Sequence, residues 1–205
     1  MHHPWLTTAQ RLQSIAQAGL TYCQNDYDRE RYEELMRISA QIVADYSDAP
    51  FEKVLNLYGK EEGYLTPKVD IRGVVFRDDK LLMVQEKIDQ GWTVPGGWAD
   101  VGYSPSEIVV KEVQEEAGIT VAPERLLAVL DKKCHNHPPT PFYTYKIFIL
   151  CRHLAGEITA GMETMNVGFF GKGELPPLSV ERLTVEQAEM LFDFHHNLAK
   201  AVLFD

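Results

Sequence analysis

The chain has 205 residues, 45% of them hydrophobic, and a formal charge of −10. Such a length can bury one good core and carry a smaller appendage, which excludes a disordered tail. The acidic balance weighs against a broad electrostatic grip on nucleic acid, and the lack of any apolar run near the roughly 20 residues that span a bilayer argues against a membrane span.

The first sixty residues read as helices. Leu12, Ile15, Ala16 and Leu20 follow a helical period after Thr7 or Thr8, and a second helix is predicted from Asp26 to Asp45 through Tyr32, Leu35, Met36, Ile38 and Ile42. A third short helix follows Pro50, and Glu61, Glu62 and Gly63 fall in the connection to the rest, so that 1–62 is an N-terminal helical region and 63–205 a second domain. Helices of this size cannot bury their stripes alone and should pack on the core or on another subunit. A homodimer with this region at its interface is the expectation.

Val69 to Phe76 and Leu81 to Gln85 read as two strands of a hairpin around Arg77-Asp78-Asp79-Lys80, leading into Gly91-Trp92-Thr93-Val94-Pro95. The next segment, Pro95 to Ile119, carries the chemistry. Ser104 is a good N-cap, Pro105 suits the first helical position, Glu107 completes a capping box, and Gly118 suits the end of the helix. Val109, Val110, Val113 and Ala117 share one stripe of this helix while Glu112, Glu115 and Glu116 share another. Like charges three or four residues apart repel unless a cation intervenes, and hard carboxylate oxygens suit magnesium or manganese. The plain alternative is a solvated acidic face. Gly96 and Gly97 favour the metal, because a glycine turn lets the backbone approach a ligand closely.

Leu126 to Leu130, Phe142 to Cys151 and Val167 to Phe170 are further strand candidates, with Tyr143 and Tyr145 alternating on one face as possible core residues. Leu183 to Leu203 reads as a final helix, opened by a second capping box of Thr184 and Gln187. Cys23, Cys134 and Cys151 are odd in number and widely spaced, and read as buried thiols. Two histidines two apart, His135 and His137, lie in a polar stretch that either faces substrate or is plain surface.

The segment from Gly97 resembles the signature of the Nudix hydrolases: a glycine, five residues, a glutamate, seven residues, then arginine, glutamate, an aliphatic residue, any residue, two glutamates, any residue, glycine and an aliphatic residue. Glu112, Val113, Glu115, Glu116, Gly118 and Ile119 match its second half in register. Two positions depart, with Tyr103 in place of the first glutamate and Lys111 in place of the arginine. Lysine keeps the charge without the planar fork, and from position 111 it can reach Glu107 or Glu115 one turn away. Tyr103 can offer packing and a hydroxyl instead of an ion pair.

The resemblance implies an α/β fold of the α+β kind, with a mixed β-sheet sandwiched between helices and a small all-helical N-terminal appendage. TYCQNDYDRERYEEL resembles the helical N-terminal region of a bacterial Nudix group acting on nucleoside diphosphates linked to another moiety. The group includes enzymes acting on CDP-choline and others called ADP-ribose pyrophosphatases, which makes CDP-choline the first choice of substrate and ADP-ribose the second. It further implies that Glu112, Glu115, Glu116 and the Gly96 carbonyl hold Mg2+ or Mn2+, and that Glu112 or Glu163 acts as general base. Trp98 either stacks on a base or packs, and Arg72 either meets a phosphate or forms an edge ion pair. A nucleotide-sensing binding module and a hydrolase of RNA ends are the competing functions, and the acidic balance disfavours RNA. Without a signal-peptide pattern in Met1 to Leu20, the expected location is cytoplasmic.

Overall fold

A computed structural model describes residues 3–59, 63–140 and 142–205; Glu61 and Glu62 of the expected connection lie outside the described residues. The chain divides into two compact units, one of Lys68–Pro138 with Thr144–Asp205, the other of the residues up to Pro67 with Pro139–Tyr143.

The smaller unit is built on three helices. α1 (Pro4–Tyr22) begins before Thr7 and Thr8, after which its period is expected, because Pro4 fits a first turn that needs no amide donor and Thr8 turns its hydroxyl onto the Pro4 carbonyl at 2.9 Å. α2 (Asp26–Asp45) has the predicted bounds, and the Asn25 side chain caps it by accepting from the Asp28 amide at 2.8 Å. α3 (Phe51–Tyr58) follows Pro50. Their shared core is small, made of Ala9, Ala40, Val43, Val54 and Tyr58 with partly buried neighbours such as Trp5 and Met36. Ile15 and Ile38, which belong to the predicted stripes, remain 42% and 43% exposed, so each of the two long helices keeps apolar surface outside the core.

The larger unit runs β1 (Lys68–Val74), β2 (Phe76–Arg77), β3 (Lys80–Glu86), β4 (Trp92–Thr93), β5 (Gly96–Trp98), α4 (Pro105–Ala117), β6 (Thr120–Asp131), β7 (Thr144–Ala155), β8 (Thr164–Phe170), α5 (Val185–His196) and β9 (Leu203–Phe204). One sheet has the order β5-β1-β7-β6-β9, in which β1 and β7 are parallel, as are β6 and β9. The other centres on β3, which pairs with β2, β4 and, from Leu81 to Glu86, β8.

Period-two alternation sends each strand's side chains to opposite helices. Leu81 and Met83 of β3 join Val74, Leu127, Phe148, Leu191 and Phe192 in a cluster that includes α5. Leu82 and Val84 join Ile71, Ile108, Val109 and Val113 in a cluster that includes α4. Burial on both faces explains why β3 reads as a nearly unbroken apolar run.

Two expectations are corrected. Gly96 and Gly97 lie in a short strand rather than a turn, since β5 pairs antiparallel with β1 through Arg72 and Gly96, Ile71 and Gly97, and Asp70 and Trp98. α5 stops at His196 instead of running to Leu203: Asn197 leaves helical geometry at φ −132, Arg125 takes the carbonyls of Leu198 and Lys200, and Leu203–Phe204 pair with Ala128 and Val129. Leu198, assigned to the helical stripe, is exposed.

A charged cluster lies inside this unit. Asp70 on β1 accepts from Arg72 Nε at 2.8 Å and from Lys146 Nζ of the adjacent position on β7, and all three side chains are buried. Burial opposes ionisation of Asp70, yet the charges of Arg72 and Lys146 outweigh it and hold the carboxyl down at about 2. A depressed carboxyl stabilises the fold above its unfolded pKa, and that stability is lost as pH falls through the folded value. Asp70→Ala strands two buried cations and is expected to cost about 3–5 kcal/mol in urea denaturation. In Asp70→Asn the part of the acid destabilisation that lies between about pH 4 and about pH 2 should disappear.

Candidate active site

The ends of α4 are set as the sequence predicts. The Ser104 hydroxyl accepts from the Glu107 amide at 3.3 Å, the Glu107 carboxylate accepts from the Ser104 amide at 2.8 Å, and Gly118 ends the helix at φ 75. Burial of Ile108, Val109, Val113 and Ala117 then fixes the helix's rotation. The three glutamates consequently differ: Glu116 is buried, Glu112 is mostly covered, and the Glu115 side chain is 59% exposed.

Glu116 is tied to β5, where the Gly96 amide donates to its carboxylate at 2.9 Å. Gly96 has φ +145, a conformation that side chains rarely adopt, and a Cβ there would lie 2.1 Å from the Ile71 carbonyl oxygen. A Cβ on Gly97 would lie 3.0 Å from the Glu112 carboxylate. Glycine at these positions lets the strand run directly against the acidic flank of the helix.

At the two positions that depart from the signature the contacts are these. Lys111 donates to Asp100 at 3.0 Å and lies 3.7 Å from Glu112 and 3.6 Å from Glu115. Glu107, a predicted partner of Lys111, is committed to the cap, and Tyr103 is 53% exposed. Asp100 thus supplies the acidic partner from three residues before the signature position, a contact that a fixed-spacing comparison overlooks.

Two further elements converge on the helix. The Thr164 hydroxyl donates to the Glu116 carbonyl at 2.9 Å while accepting from the Gly161 amide at 2.8 Å, which fixes the segment carrying Glu163 beside the end of α4. The Glu163 carbonyl accepts from the Lys87 amide at 3.4 Å, so the end of β3 lies alongside. Glu86, at a register shift in that strand, is buried and pairs with Arg182 at 3.0 Å, and Arg182 also reaches Asp89 at 3.3 Å. Sequence reasoning missed Glu86 and Arg182; the only local signal was a charged residue closing an apolar strand.

These carboxylates form one electrostatic group. Burial is the main force that raises Glu116, to about 7, with Glu86 and Glu112 adding to it and Arg72 opposing. Glu112 is raised first by burial and then by Glu115 and Glu163, against Lys111 and Arg72. Glu86 is raised by burial, Asp89 and Glu163, against Arg182 and Arg72. A set of oxygen donors pushed toward neutrality by desolvation and mutual repulsion fits a hard divalent cation, whose charge would reverse the shift. Among the described residues the trio with ligand atoms within 4.8 Å of one another is instead Asp79, His195 and His196. The glutamates are therefore grouped without being closed into a shell, and the exposed Glu115 is drawn toward Lys111.

The remaining candidates separate. Arg72 is buried, bonded to Asp70 and to the Val94 carbonyl at 3.3 Å, so it underlies the carboxylates and is not an edge ion pair. Trp98 is 52% exposed on β5. In the histidine stretch, His135 pairs with Asp205 at 3.0 Å, and His137 donates to the Val180 carbonyl at 2.7 Å, its pKa driven down to about 3 by burial. These contacts fasten the stretch to the C-terminal part of the unit. Tyr145 is 40% exposed and so is not core, and Cys134 is exposed whereas Cys151 is buried.

Gly97→Ala tests the fit of strand to helix. The added methyl must push the Glu112 carboxylate aside by a few tenths of an ångström, so the variant should fold normally but lose about tenfold in kcat, less than the roughly 10²-fold that a 1 Å misplacement costs, measured by steady-state hydrolysis beside a thermal melt.

Residues 66–200 match the family description "NUDIX domain", and residues 3–58 match "UDP-X-like, N-terminal oligomerisation domain". The Bacillus subtilis protein named "Putative ADP-ribose pyrophosphatase YjhB" is 51% identical over 201 residues, covering 98% of this chain and 97% of that protein. A crystal structure of an ADP-ribose pyrophosphatase from Streptococcus suis is 44% identical at a TM-score of 0.63, covering 68% of this chain and all of that one. A crystal structure of a UDP-X diphosphatase is 32% identical at a TM-score of 0.65, covering 98% of both chains. Among the described residues no helix is long and apolar enough to cross a membrane. With the signature helix, the strand against it and these similarities together, the chain belongs to the Nudix hydrolase family and is a pyrophosphohydrolase.

Proposed function

We propose that the protein hydrolyses the diphosphate of a nucleoside diphosphate joined to a second moiety, with Mg2+ or Mn2+, and that ADP-ribose is a better substrate than CDP-choline. The observation that carries this reading is the pair of covered carboxylates on α4, Glu112 and Glu116, facing the Gly96–Trp98 strand. The order of substrates is supported by the names of the Bacillus and Streptococcus proteins and reverses the preference drawn from the sequence resemblance alone.

Glu112, Glu115, Glu116 and the Gly96 carbonyl would hold the cation. When bound, it would polarise the diphosphate and lower the pKa of an attacking water. Gly96 orients Glu116 through its amide. Lys111 is already bonded to Asp100, so Glu115 can turn to the cation without leaving the lysine unpaired. Glu163, on the segment fixed by Thr164, or Glu112 takes the proton from water. Arg72 lies beneath and limits the repulsion among the carboxylates. The helical unit serves a homodimer, an assignment supported by the oligomerisation description and by the apolar surface left at Ile15 and Ile38.

The test is a hydrolysis panel of ADP-ribose, CDP-choline, nucleotide sugars and a short RNA, with products identified by mass. AMP and ribose phosphate should appear from ADP-ribose with magnesium and vanish with excess chelator. Glu116→Gln should lower kcat by about 10²–10³-fold, the loss of several kcal/mol of charge stabilisation. Tight nucleotide binding with no turnover across the panel would replace the enzyme by a sensor. If Glu163 is the base, Glu163→Gln lowers kcat while metal affinity is kept; a fall in metal affinity instead makes it a ligand.

A further inference from the structure

The β2–β3 hairpin and the last turn of α5 bring together Asp79, His195 and His196, whose ligand atoms all lie within 4.8 Å of one another. We propose that these three residues form a second metal site, for zinc or a similar transition cation, separate from the glutamates of α4.

The side chains come from two separate parts of the fold, Asp79 from the β2–β3 turn and both histidines from the last turn of α5. Asp79 is the second residue of a two-residue turn whose φ angles are 51 at Asp78 and 56 at Asp79, and the turn is closed by the Arg77 and Lys80 pair of β2 and β3. The His195 ring lies flat on Phe76, with centroids 4.0 Å apart and planes 12° apart, and its Nε2 meets the Asp79 carboxylate at 2.8 Å. The exposed His196 ring lies 5.3 Å from that of His195. Aspartate and histidine are thus paired across 116 positions of sequence before any cation is added.

Two imidazoles and one carboxylate suit zinc better than magnesium, because imidazole nitrogen is a borderline donor whereas magnesium prefers oxygen and water. With bonds of about 2.0–2.2 Å, the ligand atoms of a tetrahedral zinc lie roughly 3.4 Å apart, so closing the trio takes a shift on the order of 1 Å. His196 is exposed and can make that shift, and water can take the fourth position. The alternative is a His195–Asp79 hydrogen bond with His196 as a solvated residue at the helix end.

The site can be tested apart from hydrolysis. β3 runs from Lys80, next to Asp79, to Glu86 in the carboxylate group, a separation of about 20 Å at the usual rise per residue. A bound cation would clamp the hairpin to α5, so its effect should appear as stability.

Full-length protein, stripped with chelator and held in excess magnesium to satisfy the oxygen donors of α4, is titrated with zinc by calorimetry and with cobalt by visible absorption. The wild type should bind one equivalent, give a tetrahedral cobalt spectrum and melt at a higher temperature with zinc. Asp79→Asn and His196→Ala should each bind at least about tenfold more weakly and lose the zinc-dependent melting shift. Their magnesium-dependent hydrolysis should be unchanged, and His195 is left intact because its ring packs on Phe76. Equal affinity and stoichiometry in the wild type and both variants would overturn the site, as would a wild type whose cobalt spectrum stays that of the aqueous ion.

Discussion

The bond from the Gly96 amide to the Glu116 carboxylate is the contact on which the rest of the site depends. It requires a strand that can approach a helix without side chains between them, and the two glycines of β5 provide that approach. It also requires the helix to be rotated so that Glu116 faces inward, and the burial of Val109, Val113 and Ala117 leaves α4 no other orientation. Packing therefore places a carboxylate where solvation alone would not, and the resulting desolvation prepares it for a cation.

Beneath that contact the charges are layered. Asp70, Arg72 and Lys146 form a buried cluster between adjacent strands, and Arg72 extends its field to Glu116, Glu86 and Glu112. Lys111 performs a similar service on the exposed side, anchored by Asp100. The balance still leaves Glu116, Glu112 and Glu86 raised by burial, while Lys111 and Arg72 each keep a partner of their own. With lysine where the signature has arginine, the charge beside Glu112 and Glu115 is kept and its acidic partner is Asp100.

What could be read from the sequence was what local chemistry determines. Both capping boxes, the glycine end of α4 and the bounds of α2 follow from residues within one turn of each other, and the structure has them where the residues place them. The glycine pair reads as a turn because nothing local reveals that β1 will pair with it. The end of α5 is decided by Arg125 and by a strand partner in β6, both some seventy positions away, so the apolar repeat overran it. Glu86, Arg182 and Asp100 were missed for the same reason: each acquires its role from a partner that only the fold supplies. The family signature located the helix but could not say that Glu116 would be buried, Glu112 mostly covered and Glu115 exposed.

The most direct measurement is the anomalous difference map of a crystal soaked in manganese. A peak among Glu112, Glu115 and Glu116 beside the Gly96 backbone, with Glu115 turned away from Lys111, is the predicted result. Glutamates that keep their positions with no peak beside them, at a manganese concentration that supports turnover, would contradict the assignment of these residues as the catalytic metal site.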